Sequence, residues 1–160
     1  MGSERKLPTT MVFNVEGAPA GKGRPRFTRS GHTYTPKKTK DMEEVIRLNY
    51  ATQCRNRMFD DMVGVCINAY LNIPKQTKKS AWECMRKLLR IFAPKKPDID
   101  NIAKLVLDAL NGVAYPDDKN IVELIVTKQY DPNRPEGHLR VAVYEVKNIG
   151  KDGEEVWMKM

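Results

Sequence analysis

Asp98, Asp100, Lys104 and Asp118 are the residues whose types and spacing best suit chemistry. The run Asp98-Ile99-Asp100-Asn101-Ile102-Ala103-Lys104 sets two carboxylates and a lysine close together, and Asp117-Asp118 follows downstream. Carboxylate oxygens are hard donors, and Mg²⁺ takes a few of them together with waters and a substrate phosphate. A metal held this way polarises a phosphodiester and lowers the pKa of a bound water. Asp98, Asp100 and Asp118 are therefore the candidate metal ligands. Lys104, one turn beyond Asp100, is placed to meet a developing oxyanion or to orient that carboxylate.

These acids stand in a basic chain. Of its 160 residues, 28 are Lys or Arg and 20 are Asp or Glu, a formal net charge of +8. Such a balance attracts a polyanion, whereas a local acidic pocket repels one unless a divalent cation lies between. Lys22, Arg24, Arg26, Arg29, Lys37 and Lys38 crowd a Gly/Pro-rich stretch with no acidic residue between Gly21 and Lys40, and Lys95-Lys96 lead into Asp98. Arginines on such a loop, flanked by Phe27 and Tyr34, suit phosphate contacts with some stacking. Lys75, Lys78, Lys79, Arg86, Lys87 and Arg90 form a second cluster, which solvated surface charge also explains.

The elements that must position these groups follow from periodicity. A strand is expected at 11–15, a loop at 17–36, and a helix opened by Thr35-Pro36 that runs to about Arg57. Met42, Val45, Ile46 and Asn49-Tyr50 mark its apolar stripe. Residues 62–73 alternate as a strand, and 76–90 suggest a basic helix carrying Trp82, Met85, Leu88 and Leu89. From Asp98 to Val113 the spacing is helical, with Ile99, Ile102, Ala103, Val106, Ala109, Leu110 and Val113 on one face and Asp100, Lys104, Asp108 and Asn111 on another. Strands at 121–130 and 139–146 flank a turn-rich segment and should pair as antiparallel neighbours. The expected fold is α+β, one domain over 1–147, with a mostly antiparallel mixed sheet covered by helices mainly on one face, in the order β-α-β-α-α-β-β. Residues 1–8 read as a polar leader and 148–160 as a polar tail on which Trp157 is a docking candidate.

A purely structural alternative exists for each acid. Asp98 as a helix cap contributes about 1 kcal/mol. Asp100 and Lys104 as an exposed pair contribute about 0.3–0.5 kcal/mol. Asp117-Asp118 also fits a plain turn. Cys54, Cys66 and Cys84 are odd in number and widely spaced, and His32 and His138 are isolated, so neither a disulfide framework nor a zinc site is expected. With no apolar run of membrane length and no signal-peptide core, a soluble, cytoplasmic protein is expected.

The motifs resemble those of a known family. Lys96-Pro97-Asp98-Ile99-Asp100-Asn101-Ile102-Ala103-Lys104, then Leu107-Asp108-Ala109-Leu110-Asn111-Gly112, then Asp117-Asp118 and Ile121-Val122-Glu123 are similar to the signature of RusA-type Holliday junction resolvases. Gly21-Lys22-Gly23-Arg24-Pro25-Arg26-Phe27, Tyr34-Thr35-Pro36 and Lys128-Gln129-Tyr130 extend the likeness over roughly residues 10–146. The resemblance implies a homodimeric endonuclease that nicks four-way DNA junctions symmetrically with Mg²⁺ or Mn²⁺. It gives Asp98, Asp100 and Asp118 metal-binding roles, makes Lys104 the essential lysine, and ranks Asp117 and Glu123 below them. Some members use an aromatic residue near the site to open the junction; here the motif is preceded by Lys95-Lys96-Pro97, leaving Phe92 or Tyr115 as substitutes. A phage or prophage origin is in keeping with the family. A flap or fork nuclease using the same residues, and a non-catalytic nucleic-acid-binding module, remain open at this point.

Overall fold

A computed structural model describes residues 9–151. Its elements are β1 (Thr10–Glu16), β2 (Arg26–Phe27), β3 (Thr33–Tyr34), α1 (Lys37–Cys54), β4 (Val63–Tyr70), α2 (Lys79–Arg86), β5 (Ile91–Phe92), α3 (Ile99–Leu110), a 3-10 turn (Asp118–Asn120), β6 (Ile121–Tyr130) and β7 (His138–Glu145). The polar leader, residues 152–160 of the tail and Trp157 lie outside the described residues. The five-stranded sheet has the order β1-β7-β4-β6-β5, with β4 and β6 parallel and the other pairs antiparallel. The α+β expectation holds, with a small β2–β3 hairpin and the short β5 added to the expected order.

Alternation decides which face is covered. Val63, Val65, Ile67 and Ala69 of β4, Leu139, Val141 and Val143 of β7, and Phe13 and Val15 of β1 are buried against α1 and α3. At alternate positions Val12, Arg140, Tyr144 and Ile125 face the other side and are partly or fully exposed, while Gly64, Gln129 and His138 of that phase are buried. On α1 the buried residues are Thr39, Ile46, Tyr50 and Cys54, while Val45 is exposed, so the stripe is rotated from the expected one. Phe13 meets the Tyr50 ring edge-on at 5.4 Å, and the Tyr50 hydroxyl donates to the Arg57 carbonyl. Pro36 precedes the helix without a side-chain cap, and Arg55 ends it in the left-handed region at φ 53°.

One pairing differs from expectation. β6 and β7 are not neighbours: β4 lies between them. β4 is buried at every inward position, whereas β6 exposes Val122, Leu124 and Ile125, so β4 takes the sheet centre. The turn-rich 131–137 segment is long enough to cross one strand, roughly 10 Å, instead of closing a tight hairpin. It is fastened to the end of β4 by Ile73 N–H donating to the Pro135 carbonyl (3.0 Å) and Gly137 N–H donating to the Asn72 side chain. The parallel β4–β6 pair requires a crossover, and α3 provides its helix.

α2 is shorter than the 76–90 helix expected, and none of its residues is buried. Leu88 and Leu89 lie beyond its end, exposed. Ala81, Trp82 and Met85 are only partly buried, so little packing adds to the propensity that sustains its two turns.

Candidate active site

α3 carries the first acidic pair. Ile102, Leu105, Val106, Ala109 and Leu110 are fully buried and fix the helix's rotation about its axis. Ile99, expected on that face, is exposed, and Leu105 takes a buried place instead. Asp98, Asp100 and Lys104 are thereby turned to solvent.

Asp98 occupies the N-cap position, yet its side chain makes no capping hydrogen bond; only its backbone carbonyl accepts, from Ile102 N–H at 3.1 Å. Among the described residues, Asp100 and Lys104 form no ion pair. Asp117 does serve a turn: its carboxylate accepts from Lys119 N–H at 3.3 Å and opens the 3-10 turn. Asp118, next to it, has no such side-chain bond. Glu123 is also committed, accepting from the Tyr144 hydroxyl at 3.0 Å. Burial, then this bond, raises the Tyr144 pKa above its ordinary value. Among the described residues, Asp117 and Glu123 thus have side-chain partners that Asp98, Asp100 and Asp118 lack.

The chain does not bring Asp118 to the first pair. The 3-10 turn at Asp118 feeds the start of β6, while Lys128, near the other end of β6, hydrogen-bonds the Lys95 and Pro97 carbonyls beside Asp98. Ile121 and Lys128 are seven residue steps apart along the strand, about 23 Å. Consistently, no three His, Cys, Asp or Glu side chains among the described residues converge as a metal cluster. Sequence proximity across the 111–117 segment is misleading here, because α3 runs back along β6.

The basic loop lies against Asp98. A groove of about 850 Å³ is lined by Arg24, Arg26, Lys38 and Lys96, with Pro97 and Asp98 in its wall. Gly21 makes this approach possible, since an added Cβ would meet Pro97 and Asn101 side-chain carbons at 3.0 Å. Lys22 N–H donates to the Asn101 carbonyl at 2.9 Å. The Lys22 ammonium, expected to meet phosphate, instead bonds Asp108 of α3, with Glu43 Oε1 of α1 at 3.4 Å outside hydrogen-bonding geometry. Its side chain is 19% exposed, so it is an internal tether of the loop. Arg24, Arg26, Arg29, Lys37, Lys38, Lys95 and Lys96 are exposed. Tyr115 is fully buried, its hydroxyl donating to the Leu107 carbonyl at 3.0 Å, which removes it as a junction-opening aromatic. Burial, with Asp118 nearby, raises its pKa well above the ordinary tyrosine value. Phe92 is 62% exposed, with the Arg90 guanidinium 5.8 Å from its ring centre.

The family profile described as Endodeoxyribonuclease RusA matches residues 16–144. The chain belongs to the RusA endodeoxyribonuclease family. The match contains the loop, α3, the 3-10 turn and most of the sheet. A Bacillus subtilis (strain 168) relative, the uncharacterized protein YqaN, is 34% identical over 140 residues, covering 84% of this chain and 95% of the relative. Holliday junction endonuclease chemistry is the family-level activity. No helix among the described residues is long and apolar enough to cross a membrane.

Proposed function

We propose that the chain is a structure-selective endodeoxyribonuclease that resolves four-way DNA junctions by paired nicks, in DNA recombination and repair. The observation that carries this reading is the set of uncommitted carboxylates at the start of α3, facing solvent beside a basic groove. Asp98, Asp100 and Asp118 are hard, exposed oxygen donors, a set that fits Mg²⁺, with Mn²⁺ as substitute. Bound there, such an ion supplies Lewis-acid polarisation of the phosphate and a more acidic water. The exposed Lys104 ammonium stabilises charge developing on the phosphate oxygens. Arg24, Arg26, Arg29, Lys37, Lys38, Lys95 and Lys96 hold the flanking backbone by phosphate contacts.

Because Asp118 lies away from Asp98 and Asp100, a homodimer in which each metal site takes Asp118 from the second copy accounts for all three acids. A two-fold dimer also matches two symmetric nicks. The test of substrate class is cleavage of a labelled four-way junction in competition with a flap and a linear duplex. Preference for the junction supports the reading; preference for the flap makes the chain a general branched-DNA nuclease.

A further inference from the structure

β6 carries a residue that breaks its own pattern. Lys128 pairs in register with Ala69 of β4, as Val126 pairs with Ile67, so it occupies a position on the helix-covered face. A strand with one covered face is expected to place an apolar residue there. Lys128 is instead half-buried, and its ammonium donates to the carbonyls of Lys95 (2.6 Å) and Pro97 (3.1 Å). Among the described residues it has no carboxylate partner. The Pro97 carbonyl belongs to the peptide plane that also carries the Asp98 N–H. Lys128 therefore fixes the orientation of the backbone from which the Asp98 carboxylate projects. The segment is held from the other side as well, by Gly21 packed on Pro97 and Lys22 N–H bonded to the Asn101 carbonyl. The Lys95 ammonium adds a contact over the Tyr130 ring at 6.0 Å.

We propose that Lys128 is a positioning residue for the acidic pair: it orders the segment before α3 so that Asp98 and Asp100 are held in place before metal and DNA arrive. The inference rests on Asp98 and Asp100 being metal ligands. Groups that support ligands in this way typically govern metal affinity or activity by about 10–100-fold.

The experiment titrates full-length protein with Mn²⁺, followed by electron paramagnetic resonance, for the native chain, Lys128→Met, Lys128→Arg and Asp98→Asn. Junction binding without divalent metal and thermal melting are recorded alongside. Lys128→Met should weaken Mn²⁺ binding roughly tenfold and lower cleavage at limiting Mn²⁺ by a similar factor, with partial recovery at high Mn²⁺. Metal-free junction binding should stay within about twofold, because the lost ammonium contacts backbone and not phosphate. Lys128→Arg, which keeps the donors, should recover most of the affinity. If Lys128→Met does not fold, Lys128→Gln replaces it with the same expected shift. Native Mn²⁺ affinity and cleavage in the Met or Gln variant, while Asp98→Asn is impaired in both, overturns the positioning role alone. Unchanged Mn²⁺ binding in Asp98→Asn overturns the site reading itself.

Discussion

Asp100 sits in the first turn of α3 with no side-chain partner among the described residues, so its removal costs the fold only the helix-dipole contribution, about 0.3–1 kcal/mol. Asp100→Asn should lower cleavage by more than about 100-fold, the upper end for residues that only support a metal ligand. Junction binding should be kept or tightened, since a negative charge near phosphate is removed. Single-turnover cleavage and gel-shift titration check this, and joint loss of binding and cleavage would make Asp100 structural. A second prediction concerns pH. Arg134, bonded to Glu16, holds the Glu16 carboxyl below its ordinary value of 4.5. A lowered folded pKa means that the stabilisation is present above 4.5 and fades as pH falls through the lower folded value. Glu16→Gln should therefore melt slightly below the native chain at neutral pH, with the gap closing in strong acid. A gap undiminished in acid would show that the bond does not act through ionisation. Both sites differ in legibility. Asp98, Asp100 and Lys104 are local in sequence, so their motif and helical spacing made them readable as candidates, whereas the Glu16–Arg134 contact joins residues 118 positions apart and leaves no local trace.

The basic loop and the helices beneath it carry a contrast between two kinds of cation. Lys22 is spent on Asp108 and Glu43, whereas Arg24 and Arg26 face the groove. Lys22→Met leaves two partly buried carboxylates without their cation and should destabilise the chain by about 1–3 kcal/mol, read by denaturant unfolding. Arg24→Ala with Arg26→Ala should leave stability within about 0.5 kcal/mol. The same pair should lower the slope of log affinity against log salt by about 2. An unchanged slope removes the loop from the DNA path, and a stable Lys22→Met removes the tether. Composition made these lysines and arginines look alike; only the packing of α1 against α3 separates them. Element existence was legible for the same reason that helix α3 was: strong local periodicity. The β6–β7 adjacency was misread because turn-rich residues at 131–137 are equally suited to a crossing loop, and the choice depends on which strand buries most. Lys128 was the readable irregularity, a lysine at the inward phase of an otherwise apolar alternation, whose use becomes visible only once β5 and the 95–97 segment lie beside it.

At the scale of the whole molecule, the separation of Asp118 from Asp98 and Asp100 bears on assembly. A dimer with shared sites predicts complementation between two inactive variants. Asp100→Asn mixed with Asp118→Asn should regain nicking, because the mixed dimer contains one site with neither substitution; sites built within one chain would stay inactive in the mixture. The expected product is a single nick per junction instead of a pair. Junction resolution is read by incubating the native chain with a labelled four-way junction and a matched duplex, with Mg²⁺ and without, beside Asp100→Asn. The expected result is paired, symmetric nicks on the junction only, dependent on Mg²⁺ and absent in the variant. Tight junction binding with no nicking in Mg²⁺ or Mn²⁺ would contradict it and leave a binding module whose acids have no catalytic role.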